Sequence, residues 1–151
     1  MVGALKILKH SELQMSDKLK QLSRYGLTVE VNLNYEDAVE KVREELSKEG
    51  FGVLCDIDIK ATLKKKIDVD FKKYVILGAC NPPLAHRALS EEAQIGLLLP
   101  CNVIVYEEGD GAVVSAIDPV VQLGVTGNDE LQPLAEEVRG KLSRVLEGVA
   151  G

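Results

Sequence analysis

The period with which apolar residues recur changes several times along this chain, and the order of those changes constrains the fold more than any other feature. The first periodic segment alternates apolar and polar side chains, as a strand with one solvated face does, at Leu27, Val29, Val31 and Leu33. Asn34 then supplies a helix N-cap with Asp37 at the capping-box position, and Gly50 ends the helix. The predicted buried stripe of this helix is Val39, Val42 and Leu46.

Four further strands and one long helix follow. The predicted strands are an alternating segment at Val53, Cys55, Ile57 and Ile59, an apolar segment at 74–80 expected to be covered on both faces, a segment at 96–107, and a segment at 112–117. Pro100 inside the fourth strand predicts an edge position or a bulge, and residues 108–111 predict a hairpin turn. Short helices are predicted at 61–67 and 84–92, and the last helix at about 132–147.

The resulting order, β-α-β-β-β-β-α, predicts an α+β fold of two layers, with a mixed, mainly antiparallel sheet and helices on one face. The β-α-β start predicts a right-handed crossover between neighbouring or near-neighbouring parallel strands. Residues 25–148 are predicted to form this single domain. Residues 1–24 are predicted to be an N-terminal helical appendage, because Ser11 and Gln14 suit a capping box. The apolar stripe of that helix is Met15, Leu19 and Leu22.

Composition excludes several classes of function. The chain has 151 residues, the length of one domain, and a formal net charge of -6, which disfavours binding to nucleic acid. It has no apolar run of the length that crosses a bilayer, so no membrane partner is predicted. Three cysteines without a secretory signal predict a cytoplasmic protein. Abundant Lys and Glu favour a thermophile. The lysine-rich segment 60–73 is most simply a solvated face.

Two Cys-Asn steps next to prolines are the most informative local feature. Cys80-Asn81 precedes Pro82 at the end of a strand, and Cys101-Asn102 follows Pro100. If the two strands are neighbours, the thiols converge on one pocket. The free N–H groups of the following helix would favour a Cys80 thiolate, although a buried cysteine is more often a small core residue.

Other polar residues have weaker interpretations. Cys55 is predicted to lie in the core. His86 could join Cys80 and Cys101 as a metal ligand or act as a base, but a histidine at the surface of a helix is the simpler interpretation. Lys60, at the end of the second strand, could direct its cation into the pocket. Phosphate-cradle and nucleophile-elbow motifs are absent from the sequence.

Three segments, 58–64, 74–82 and 96–103, together resemble the bacterial and archaeal domain of unknown function 302. The resemblance covers about residues 25–148 and implies a β-α-β4-α fold and self-association as a homodimer. It also implies a shared role for the positions of highest similarity, but no reaction and no cofactor. Those positions are Lys60, Cys80, Asn81, Pro82, Pro100 and Cys101.

The preferred hypothesis is a small-ligand binding or sensing module for an anion, a thiol-reactive compound or a soft metal. Its ligand-binding residues would be Lys60, Cys80, Asn81, Cys101 and Asn102. One alternative is a thiol-redox protein or enzyme that uses Cys80 with Cys101 and depends on a lowered thiol pKa. The other is a structural or interaction protein in which both asparagines bond to nearby backbone. No catalytic residue, cofactor or resident metal is assigned.

Overall fold

A five-stranded antiparallel sheet forms one layer of the protein. The computed structural model describes residues 18–151. Its strands are β1 Gly26–Val31, β2 Gly52–Asp58, β3 Tyr74–Cys80, β4 Cys101–Glu108 and β5 Gly111–Ile117, and their spatial order is β1-β5-β4-β3-β2. The helices are α1 Tyr35–Lys48, α2 Ile59–Ile67, α3 Pro82–Glu91, α4 Pro119–Gly124 and α5 Gln132–Ala150. Two short 3-10 helices occupy Ala93–Leu98 and Asp129–Leu131.

The core lies between one face of the sheet and the helices α1 and α5. The strand register places Leu27 opposite Ala116 and Val103 opposite both Ala116 and Leu77, so these apolar side chains share a face. Helix α1 adds Val42 and Leu46 to that face, and α5 adds Leu142 and Leu146, all fully buried. The predicted α+β class with two layers is therefore confirmed.

The crossover at the start of the domain differs from the prediction. Strands β1 and β2 run in the same direction but lie at opposite edges of the sheet, and all four strand pairings are antiparallel. The expected pairing of near-neighbouring parallel strands is therefore wrong. The β4–β5 hairpin returns the chain beside β1, so β5, β4 and β3 fill the space between the two strands that α1 connects.

Local structure follows the sequence closely where short-range interactions decide it. The Asn34 side chain accepts a hydrogen bond from the Asp37 N–H at 2.8 Å, as a capping residue should. Helix α1 ends before Gly50, whose φ of 84° suits glycine. The β4–β5 hairpin turns at Gly109, where φ is 57°. Pro133 lies in the first turn of α5, where a backbone N–H has no partner within the helix, so the N–H that proline lacks costs no helical hydrogen bond.

The N-terminal prediction is wrong over the part that the structure describes. Ser11, Gln14 and Met15 lie outside the described residues. Residues 18–24 are not helical. Lys20 instead exchanges two backbone hydrogen bonds with Thr28 of β1, at 2.6 and 3.0 Å. Leu19 is buried in the main core, while Leu22 is exposed. Backbone pairing with the free edge of β1 thus replaces the expected helical stripe.

A β-bulge in β2 explains why Cys55 is not a core residue. Val53 pairs with Ala79 and Cys55 pairs with Gly78, so Leu54 is the extra, unpaired residue. Val53 faces the helices, as its partner Ala79 does, whereas Cys55 faces the other side of the sheet and is exposed. Because the side-chain period of a strand is two, one inserted residue moves every later side chain to the opposite face.

The segment before β4 is also corrected. Residues predicted to begin the fourth strand form the 3-10 helix Ala93–Leu98, and Pro100 directly precedes β4. The predicted edge position is wrong, because β4 lies between β3 and β5. In the described part of the chain, Val75, Leu77 and Ala79 are buried on one face of β3, whereas Ile76 on the other face is only half-buried, so the predicted cover on both faces is incomplete. Within residues 18–151, none of the helices has the length and apolarity needed to cross a membrane.

Candidate functional site

A cavity of about 320 Å³ lies at the end of the sheet where β3 finishes and β4 begins. These two strands are antiparallel neighbours, so the end of one and the start of the other meet at the same edge. Helices α3, α4 and α5 enclose the space. Its lining residues are Phe51, Leu54, Ala79, Cys80, Asn81, Leu84, Ala85, Ala88, Leu89, Gly96, Leu99, Pro100, Cys101, Pro119, Gln122, Leu123, Leu134 and Val138.

Cys80 and Cys101 both line this cavity, although 20 intervening residues separate them in the chain. Cys101 pairs with Ala79, the residue before Cys80. Cys101 is buried and Cys80 is half-buried. Burial, with a smaller contribution from the neighbouring Cys80, raises the pKa of the Cys101 thiol from 9.0 to about 11. Cys101 is therefore a neutral thiol near pH 7.

Gln122 of α4 is the polar neighbour of Cys101, and the sequence analysis did not single it out. The Cys101 thiol donates to Gln122 Oε1 at 3.6 Å, and Gln122 Nε2 donates to the backbone oxygen of Leu98. This chain of contacts joins α4, the start of β4 and the 3-10 helix around the cavity. An isolated glutamine in a short helix has no sequence pattern that indicates a site, so only the fold reveals its position.

Asn81 connects the cavity wall to the end of α1. Its Nδ2 donates to the backbone oxygen of Glu49 at 3.2 Å, and it does not cap the helix α3 that it precedes. A side chain at Gly50 would approach within 3.1 Å of the same Nδ2 atom. The asparagine thus bonds to backbone, as the structural alternative expected, but to backbone distant in sequence rather than local.

Two of the predicted site residues lie away from the cavity. Lys60 is exposed, and its Nζ donates to the backbone oxygen of Phe71 at 2.8 Å, so it fastens the segment after α2 instead of forming the rim. Asn102 follows Cys101 in β4 and therefore points to the opposite face of the sheet. There it lines a separate groove with Tyr74 and Tyr106. The prediction that these two residues join the thiols is wrong.

His86 does not complete a metal site with the thiols. It lines a separate pocket between α3 and the start of α5 with Arg87 and Glu130, and it is absent from the cavity lining. Across residues 18–151, no three His, Cys, Asp or Glu side chains group closely enough to hold a metal ion. The cavity lining likewise contains no histidine and no carboxylate, so a thiol there has no neighbouring base.

The start of α3 offers less to an anion or a thiolate than the sequence suggested. Its first two residues are Pro82 and Pro83, which have no N–H to donate. The N–H of Ala85 is already bonded to the Asn81 oxygen. Two of the usual free donors are thus missing at the helix end that follows Cys80.

The opening of the cavity is apolar. Leu54 and Leu89 both line it and remain 69% and 42% exposed, whereas the lining residues Leu123, Leu134 and Val138 are buried. The exposed pair marks the side that solvent reaches, and the buried set marks the inner wall. Exposed leucines at a cavity mouth are an apolar surface that a ligand or partner can cover.

Comparisons with known proteins agree with this fold. The family model described as domain of unknown function DUF302 matches residues 27–149, a range that contains every residue lining the cavity. A crystal structure of an uncharacterised conserved DUF302 protein from Bacillus stearothermophilus is similar, with 31% sequence identity and a TM-score of 0.78. The similarity covers 83% of this chain and 98% of that one. No curated protein matches the chain. The chain therefore belongs to the DUF302 family.

Proposed function

We propose that this protein is a binding module for small, uncharged and mainly apolar molecules, with the cavity beside Cys80 and Cys101 as its site. The observation that supports the proposal is the lining of that cavity, in which no described side chain carries a formal charge. Cavities of at least 300 Å³ with mostly apolar walls and a few polar groups are typical of ligand sites.

An anionic ligand is disfavoured by the same lining. A buried anion needs a charge partner or several donors, and the expected partner, Lys60, lies elsewhere and contacts Phe71. The prolines at the start of α3 remove two backbone donors. A soft metal is disfavoured because the cavity lining offers two cysteines with no histidine or carboxylate, and no three such ligands group together within residues 18–151. Of the three ligand classes considered from the sequence, an uncharged thiol-reactive or simply apolar compound fits best.

The thiol-redox alternative is less well supported than binding. It needs a neighbouring base to activate the Cys80 thiol, and the described residues that line the cavity include no histidine and no carboxylate. The two thiols instead provide soft, weakly polar surface inside an apolar space, which suits a polarisable uncharged ligand.

A comparison of three probes tests the proposal: naphthalene, inorganic phosphate and Zn²⁺. Each is titrated into the reduced protein while the free energy of unfolding in urea is measured, because a ligand that binds only the folded state stabilises it by RT ln(1 + [L]/Kd). We expect naphthalene to stabilise the protein and phosphate to leave it unchanged. Any effect of Zn²⁺ on the free energy of unfolding should be the same in the natural protein and in a variant in which Cys80 and Cys101 are both replaced.

A cavity-filling variant makes the test specific to this site. Ala85 lines the cavity and is half-buried, so Ala85→Leu places three extra carbons in the space. Ala61→Leu is the matched control, since Ala61 is exposed on α2 and does not line the cavity. We expect Ala85→Leu to weaken naphthalene binding at least tenfold and Ala61→Leu to leave it unchanged. Equal binding by both variants, or no binding by the natural protein, would overturn the proposal.

A further inference from the structure

We propose that the ligand of this cavity is a linear aliphatic chain with an uncharged polar end, and that Leu54 determines how long a chain is retained. The inference rests on the proposed function, because it specifies the ligand of the same cavity. The chain lies along the apolar walls, and its polar end faces solvent at the mouth between Leu54 and Leu89.

The position of Leu54 is a consequence of the β-bulge in β2. Val53 and Cys55 pair with the consecutive residues Ala79 and Gly78, which leaves Leu54 unpaired between them. Without the bulge, Leu54 would face the side of the sheet opposite to Val53, away from the helices that line the cavity. With it, Leu54 lines the cavity on the helix side while it stays 69% exposed. Bulges commonly redirect one side chain next to a functional site.

The chemistry of the walls favours an aliphatic ligand. Phe51 is the one aromatic residue among the described residues that line the cavity, and leucine and alanine dominate the remainder. The polar groups at the inner end already have partners, because Cys101 bonds to Gln122 and Gln122 bonds to the Leu98 oxygen. Within residues 18–151, no buried side-chain nitrogen or oxygen lacks a hydrogen-bond partner. The interior therefore requires no polar group from the ligand.

The volume limits the length of the chain. A dry protein cavity of about 150 Å³ accommodates benzene, which has six carbons. At about 320 Å³ this cavity has roughly twice that space, enough for roughly a dozen non-hydrogen atoms. A longer chain has to leave through the mouth, where Leu54 and Leu89 would cover its last carbons.

A homologous series of primary alcohols, from 1-butanol to 1-dodecanol, tests the inference in the reduced full-length protein by titration calorimetry. We expect affinity to rise about fourfold for each methylene that becomes buried, and the increase to flatten at roughly ten carbons. Leu54→Ala should weaken 1-decanol binding about fourfold, the equivalent of one buried methylene. It should leave the binding of n-hexane unchanged, because a short chain without a polar end stays within the inner part.

Leu97→Ala is the matched control. Leu97 is 83% exposed, lies beside the lining residue Gly96 and does not itself line the cavity. Its truncation should therefore change neither the affinity for 1-decanol nor the affinity for the short chain. Binding of naphthalene without any dependence on alcohol chain length would overturn this inference and leave the proposed function intact. An equal loss in Leu54→Ala and Leu97→Ala, or none in either, would also overturn it. If neither naphthalene nor any alcohol binds, the proposed function itself fails.

Discussion

The raised pKa of Cys101 predicts that this one thiol lowers the stability of the protein at alkaline pH. In the folded state its pKa is about 11, compared with an ordinary value of 9.0, and the side chain is only 9% exposed. Between these two pH values the unfolded chain loses the proton while the folded protein keeps it. The folded state then binds more protons than the unfolded state, so the free energy of unfolding falls as pH rises.

The size of the effect follows from the two pKa values. The full difference of two pKa units corresponds to about 2.7 kcal/mol, present below pH 9 and lost once pH exceeds 11. Between pH 8 and pH 10 the expected loss from this thiol is about 1.3 kcal/mol. Cys101→Ala removes the titration and leaves a small void, whose cost is the same at every pH. The stability of the natural protein should therefore fall relative to this variant as pH increases.

Urea unfolding at pH 8 and pH 10, under reducing conditions, measures this difference. Subtracting the free energy of unfolding of Cys101→Ala from that of the natural protein cancels the titration of all other groups. These include Tyr35 and Tyr74, whose pKa values burial also raises. Cys55→Ala is the control, because it deletes an exposed thiol, and its stability should follow that of the natural protein. If the gap between natural protein and Cys101→Ala is the same at both pH values, Cys101 is not in the dry environment that the cavity requires.

Two further predictions concern the thiols and the uncovered sheet face. The first uses variants that retain one cysteine each and a thiol-specific reagent such as dithionitrobenzoate at about pH 8. Cys55 should be labelled fastest and Cys101 at least about a hundredfold more slowly, since about one Cys101 thiol in a thousand is ionised. Comparable labelling rates would contradict the burial of Cys101. The family resemblance implies a homodimer, and within residues 18–151 no helix lines the groove on the sheet face that carries Ile104. Sedimentation equilibrium should then give twice 16.4 kDa for the natural protein and a smaller mass for Ile104→Asp, and a natural protein that is monomeric would refute this.

Cys80 and Cys101, two of the predicted site residues, line one cavity for a reason that the sequence alone supplies. Cys80 ends one apolar strand and Cys101 begins the next, and a chain that reverses between neighbouring strands brings such ends together. The prediction failed for Asn102 because adjacent residues in a strand point to opposite faces. It failed for Lys60 because the end of β2 pairs with the start of β3, so Lys60 lies at the opposite end of the sheet from Cys80. Gln122 was missed because α4 approaches the cavity only in the folded protein.

Short-range interactions determined the parts of this protein that its sequence specifies unaided. The cap at Asn34, the left-handed glycines at Gly50 and Gly109 and the apolar strand at 74–80 depend on residues within a few positions of one another. The tertiary structure alone decided the sheet order, the bulge that places Leu54 at the cavity mouth and Cys55 on the opposite sheet face, and the cavity itself. These features depend on pairing between strands that are distant in the sequence and on the space that packed helices leave unfilled. No local sequence pattern encodes the pairing or the space.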